Sequence, residues 1–70
     1  MSNMYHWMQS RGLSYSALAG MLNQTPVNVS NKVRGNTTWQ QSDLIALHRL
    51  FGLSSDFVIG ISDSPLAKTD

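Results

Sequence analysis

Apolar residues recur along the chain at the three- and four-residue spacing of amphipathic helices, and no segment alternates apolar with polar residues as a strand does. Glycines typical of helix C-termini follow several of the apolar stretches: Gly12, Gly35, Gly52 and Gly60. Candidate N-cap residues precede the next stretch in each case: Ser14, Thr25, Thr38 and Ser54. The pattern predicts an all-α protein with five short helices, over residues 3–11, 14–22, 26–34, 39–51 and 54–60.

We expect the apolar stripes of these helices to form the core. Their members, in chain order, are Met4, Trp7, Met8, Leu18, Met21, Leu22, Val29, Val33, Leu44, Leu47, His48, Phe51, Phe57, Val58 and Ile61. Leu13 and Leu53 precede candidate caps, where a hydrophobic staple belongs. Thr38 and Gln41 have the capping-box spacing, which predicts a bond from the Gln41 side chain back to the N–H of the cap.

The composition is that of one small folded domain. The chain has 70 residues, 41% of them apolar, and no cysteine, which excludes a disulfide framework and a thiolate metal site. No apolar run approaches the roughly 20 residues of a membrane helix, and no secretory signal opens the chain, so we expect a cytoplasmic protein without membrane contact. Residues 62–70 lack periodicity, so we expect a domain over residues 1–61 and a flexible C-terminal tail.

Charge is distributed unevenly along the chain. Residues 1–42 carry three basic residues and no acidic one, whereas residues 43–70 carry four Asp and two basic residues. A basic half joined to an acidic half favours a polyanionic partner for one face of the molecule.

The third predicted helix differs from the others because its apolar stripe contains only Val29 and Val33. Asn and Ser are mediocre helix formers, so helix propensity does not explain the polar residues around them. Asn pairs with the major-groove edge of adenine, Ser bonds to donors or acceptors, and an exposed Val27 would meet a thymine methyl group. The outer face of this helix therefore predicts base reading in a DNA major groove.

A break of about three residues at Leu22–Thr25 separates the second and third predicted helices, as in a helix-turn-helix. Asn23 lies where a residue of left-handed conformation is expected. The small side chain of Ala19 would allow the two helices to cross closely. Helix N-termini near Ser14 and Thr25 would then direct their N–H groups towards phosphates.

Two segments carry a family resemblance. Residues 13–35 (LSYSALAGMLNQTPVNVSNKVRG) resemble the helix-turn-helix of the Cro/cI (XRE-type) transcriptional regulators, with the motif itself at about 14–34. Residues 44–60 (LIALHRLFGLSSDFVIG) resemble the fourth and fifth helices of the same fold. The stretch from Ser30 to Gly35, followed by Trp39, is similar to a subgroup of small phage and prophage repressors, in which this aromatic packs beneath the loop after the recognition helix.

The resemblance implies a compact five-helix, lambda-repressor-like domain that reads a palindromic operator in double-stranded DNA as a homodimer. Its predicted base-reading residues are Pro26, Val27, Asn28, Ser30 and Asn31. The predicted phosphate contacts are Arg11, Ser14, Tyr15, Thr25, Lys32, Arg34, Asn36 and Thr37. The predicted dimer contact consists of Val58, Ile59 and Ile61, since the fifth helix has more apolar residues than the core uses.

Motifs and chain length also bear on other classes of function. The chain lacks H-x-x-x-H, G-x-S-x-G and phosphate-loop motifs and leaves little room for a substrate cleft, so we expect no enzyme, metal, cofactor or small-molecule ligand. An antitoxin-type, protein-binding module is the alternative, in which an apolar cluster binds a partner: Phe57, Val58, Ile59 and Ile61. A minimal Cro-like repressor and the N-terminal part of a longer cI-type repressor both fit the sequence.

Overall fold

The computed structural model describes residues 2–61 of the chain, which form five α-helices and no β-strand. The helices are α1 (Asn3–Arg11), α2 (Tyr15–Leu22), α3 (Pro26–Arg34), α4 (Gln41–Phe51) and α5 (Ser55–Ile59). The predicted all-α class is confirmed. The predicted tail at 62–70 lies outside the described residues.

The chain divides into two compact units, residues 1–38 and residues 39–70. The first contains α1, α2 and α3, and in it α3 contacts both α1 and α2. The second contains α4 and α5, which contact each other. The candidate site is built within the first unit.

Hydroxyl caps begin four of the helices, and three of these caps are the predicted ones. The side-chain oxygens of Ser2, Ser14, Thr25 and Ser54 each accept a backbone N–H from three residues further on, at 3.0–3.2 Å. Ser2 as the cap of α1 was not predicted. Its bond satisfies one of the amides that a helix start leaves without a partner.

The predicted start of α4 is wrong. Thr38 is not the cap, and the helix begins at Gln41, two residues later than the predicted residue 39. The N–H of Gln40 donates to Oδ2 of Asp43 at 2.9 Å, which makes Gln40 the N-cap. A carboxylate accepts an amide N–H more strongly than the carboxamide of Gln41, so the capping box forms two residues downstream.

Left-handed residues end the helices where the sequence predicts them. The predicted glycines close α1, α3, α4 and α5, and Asn23 closes α2 with φ 59°. Gly35, with φ 84°, follows α3, and a β-carbon there would meet no atom within 4 Å. The glycine is thus favoured by backbone conformation alone, since left-handed geometry costs other residues about 1–2 kcal/mol.

The first unit has an apolar core to which all three helices contribute. Its buried side chains are Met4, Trp7, Met8, Leu18, Ala19, Val29 and Val33. The prediction for Met21 is wrong, because this side chain is 50% exposed. The inward stripe of α2 instead runs through Tyr15, Leu18, Ala19 and Leu22, which places Met21 on the flank of the helix.

In the second unit, Leu47, Leu53, Phe57 and Val58 are buried as predicted. Asp43 is also buried, which was not predicted. Two core predictions are wrong here. His48 is exposed because the stripe of α4 runs through Asp43, Leu47 and Phe51. Ile61 is 73% exposed because it follows Gly60 and so lies beyond the face of α5.

Candidate nucleic-acid interface

The third helix is attached to the first unit by two side chains one turn apart. Val29 and Val33 are both 0% exposed, whereas Val27 in the same helix is 68% exposed. Asn28 is exposed, and Ser30 and Asn31 are half-buried at the edge of the surface. The two valines therefore orient α3, and its predicted base-reading side chains remain outside the core.

Residues four apart on a helix lie on the same face, which divides the outer surface of α3 into three rows. Val27 and Asn31 form the central row, opposite the buried valines. Asn28 and Lys32 form one edge of this surface. Ser30 and Arg34 form the other edge, so the two cations of α3 lie on opposite sides of the central row.

A shallow groove joins the central row and one edge of α3 to the start of α2. Its lining consists of Ser14, Tyr15, Ser16, Pro26, Val27, Ser30, Asn31 and Arg34. Four of the five predicted base-reading residues therefore share one surface with the predicted contacts Ser14, Tyr15 and Arg34. Asn28 is exposed but is not part of this lining.

Ser16 also lines the groove, and sequence reasoning missed it. Ser16 is the second residue of α2 and is exposed, beside the capping residue Ser14. The signal was present, because a serine in the first turn of a helix predicted to approach phosphates offers a hydroxyl as well as an amide.

The starts of α2 and α3 differ in the amides that they present. In α2, the N–H groups of Tyr15 and Ser16 precede the first intrahelical bond, in which Leu18 donates to the carbonyl oxygen of Ser14. Pro26 at the first position of α3 has no N–H, so this helix presents one amide fewer. Of the two helix starts, that of α2 therefore has the greater capacity for hydrogen bonds to an anion.

The loop after α3 is folded back on the helix by backbone bonds. The carbonyl oxygen of Asn31 accepts N–H groups from Asn36 at 2.9 Å and from Thr37 at 3.3 Å. Nδ2 of Asn36 also lies 3.5 Å from Oδ1 of Asn31. Asn36 and Thr37 are exposed, so only their side chains remain to reach the phosphates predicted for them.

The three predicted cationic contacts have different surroundings. The guanidinium of Arg11 lies 5.3 Å from the ring centroid of Trp7, a cation–π contact on α1 away from the groove lining. The ammonium of Lys32 donates to Oε1 of Gln24 at 2.9 Å. Arg34 is exposed and lines the groove.

The predicted dimer contact lies in the second unit, and its three residues differ in exposure. Ile59 is 52% exposed and Ile61 is 73% exposed. Val58 is only 3% exposed, so its side chain has almost no surface to offer a partner and belongs to the core instead. A dimer contact formed by this segment would therefore use Ile59 and Ile61.

Within residues 2–61, no group of three or more His, Asp or Glu side chains is arranged to hold a metal ion. None of the helices described in that range has the length and apolar character needed to cross a membrane.

Comparisons with protein families, curated proteins and solved structures give no match to this chain.

Proposed function

We propose that the protein is a sequence-specific regulator of transcription, a Cro/cI-like repressor that inserts α3 into the major groove of double-stranded DNA. The observation that carries the proposal is the anchoring of α3. Val29 and Val33 are fully buried, while Val27, Asn28, Ser30 and Asn31 surround the helix with groups that bond to or contact bases.

The central row of α3 would contact the base edges. A carboxamide such as that of Asn31 pairs with N6 and N7 of adenine, and the exposed Val27 side chain fits against a thymine methyl group. Asn28 and Ser30, on the two edges of α3, would read bases beside the central row. Such contacts discriminate between sequences, whereas contacts with phosphates only position the protein.

The start of α2 would contact the DNA backbone. Ser14, Tyr15 and Ser16 present hydroxyl and amide donors on the same groove as α3. Neutral donors of this kind would add to the backbone contacts of a small number of cations, because each donor forms a short and directional hydrogen bond to a phosphate oxygen. Lys32 and Arg34 would neutralise phosphates on either side of the recognition face.

We propose a homodimer on a palindromic operator, with Ile59 and Ile61 of each chain at the dimer contact. Both are aliphatic and more than half exposed, and their burial on dimerisation would be favourable. A two-fold symmetric dimer requires two inverted half-sites, whose centres are about 10–10.5 base pairs apart when one helical turn separates them.

Selection of bound sites from a random duplex library tests this function directly. We expect enrichment of one palindromic sequence by the chain alone. The matched control is the Asn28→Ala, Asn31→Ala double variant, which keeps all the cations and should bind DNA without enriching the sequence. Equal recovery of all sequences by the wild-type chain would contradict the proposal.

The second candidate function is an antitoxin-type protein-binding module, and one observation favours it. Four large aliphatic side chains of the second unit are 45–73% exposed: Ile45, Leu50, Ile59 and Ile61. Exposed apolar side chains are typical of surfaces that bind another protein where they form one continuous patch. An antitoxin would require a second protein to shift DNA, whereas the proposed repressor shifts its operator alone.

A further inference from the structure

A bond between two side chains joins the turn between α2 and α3 to the third helix. Nζ of Lys32 donates to Oε1 of Gln24 at 2.9 Å, across eight residues of sequence. Both residues are half-buried, so solvent screens this bond less than it would on an open surface.

The chemistry of the pair fixes the orientation of the amide. An ammonium group has three N–H donors and no acceptor, so the carboxamide atom facing Lys32 must be the oxygen. A hydrogen bond from a charged donor is stronger than one between neutral groups. Gln24 therefore restricts where the Lys32 ammonium lies.

The position of Lys32 on α3 gives this restriction a consequence for DNA binding. Lys32 and Asn28 form one edge of the outer face, and Arg34 and Ser30 form the opposite edge. A helix in the major groove has a sugar-phosphate strand on each side, so the two cations would face different strands. Arg34 is exposed and its side chain must be ordered on binding, whereas Gln24 already restricts Lys32.

We infer that Gln24 is a positioning residue of the interface, which holds the Lys32 ammonium on its edge of α3 for contact with a phosphate of one DNA strand. The inference rests on the proposed function. A lysine side chain loses rotamer entropy when it is immobilised, and the bond to Gln24 removes part of this cost before DNA arrives.

A double-mutant cycle on operator DNA measures the coupling between the two residues. We expect Gln24→Ala to weaken operator binding about three- to tenfold in the wild-type background and to have no further effect in the Lys32→Met background. Gln41→Ala, which removes an exposed amide at the first residue of α4, is the matched control and should leave affinity unchanged. Affinities are measured at a temperature where every variant is folded.

A second measurement separates positioning from a purely structural role. Single phosphates of both operator strands are replaced, one at a time, by uncharged methylphosphonates, and the loss of affinity is measured for each. In Lys32→Met we expect this loss to disappear at a position on one strand only. In Gln24→Ala the loss at that same position should become smaller. Gln24→Glu keeps an oxygen acceptor but places a carboxylate beside the ammonium, which compensates its charge. The salt dependence of DNA binding by a dimer should therefore decrease by about two phosphate contacts, while thermal stability is retained.

The outcomes distinguish the two proposals. If the wild-type chain selects no DNA sequence, the proposed function is wrong. If it selects an operator but Gln24→Ala weakens binding equally with and without Lys32, or changes only thermal stability, the positioning role of Gln24 is wrong.

Discussion

The Ser2 hydroxyl donates a hydrogen bond to the carbonyl oxygen of Val33 at 2.5 Å, which ties the start of α1 to the last turn of α3. The Ser2 side-chain oxygen also accepts the N–H of Tyr5 and so caps α1. Because the Val33 side chain is buried as well, both the backbone and the side chain of this residue attach α3 to the unit. A nine-residue helix with modest helix propensity is thereby held in one orientation.

Burial of the two valines predicts a contrast within α3. Val29→Ala should lower the free energy of unfolding by about 2–3 kcal/mol, because it removes fully buried methyl groups and leaves a cavity. Val27→Ala deletes the same atoms at a 68% exposed position and should change the free energy of unfolding by about 0.5 kcal/mol or less. Urea unfolding measures both. Equal losses would show that α3 is not oriented by its buried valine stripe.

Asn31 lies on the central row of α3 and should determine base preference. Asn31→Ala should weaken operator binding by about 1–3 kcal/mol and relax the preference at one base pair in each half-site. Competition between operators substituted at single positions measures the change. The control is Gln9→Ala, on α1, which should alter no base preference. A uniform loss across all operator variants would contradict base reading by Asn31.

The three predicted cationic contacts of each chain, Arg11 on α1 and Lys32 and Arg34 on α3, predict the salt dependence of binding. With about six phosphate contacts per dimer, the slope of log K against log salt concentration should be about −5. Arg34→Met removes two of these contacts from a dimer and should bring the slope to about −3.5. Arg49→Gln, in α4 of the second unit, removes the same charge and should leave the slope unchanged. A wild-type slope steeper than about −9 would mean a much larger footprint.

The Asp43 carboxylate should stabilise the second unit through the start of α4. It is 2% exposed and accepts the Gln40 N–H, so Asp43→Ala should cost about 1–3 kcal/mol of unfolding free energy. Asp43→Asn keeps an oxygen acceptor and should cost less. Asp56→Ala, at an exposed position in the first turn of α5, is the control, with an expected loss of about 0.5 kcal/mol. Thermal unfolding that ranks the exposed aspartate above the buried one would refute this role.

Ile59 should contribute to cooperative binding of two half-sites. Ile59→Asp places a charge at the proposed dimer contact and should reduce the advantage in affinity of a full palindrome over a single half-site. The protein should remain folded, because the Ile59 side chain is already 52% exposed. Ile45→Asp, at a position 45% exposed on α4, is the control and should preserve the advantage. Unchanged cooperativity in Ile59→Asp would place the dimer contact elsewhere.

Much of the local structure was predictable because it depends on residues close in sequence. Ser14, Thr25 and Ser54 cap the predicted helices, and Asn23 has the predicted left-handed conformation. The capping box of α4 was misplaced because the sequence offers acceptors at both Gln41 and Asp43, and the prediction chose the carboxamide rather than the stronger carboxylate acceptor.

The candidate site was predictable as a set of residues, but its arrangement was not. Helical periodicity identified Val29 and Val33 as the anchors of α3 and the polar residues around them as its outer face. It gave no indication that Ser16 lies in the same groove, since that depends on how α2 crosses α3.

The sequence by itself determined the five helices, the left-handed residues that end them and the inward face of α3, because spacing and capping act over one or two helical turns. Only the tertiary structure decided the partners of individual side chains across turns and between helices, such as Lys32 with Gln24 and Ser2 with Val33. Those bonds join residues 8 and 31 positions apart, and their formation depends on the packing of whole helices, which no local pattern encodes.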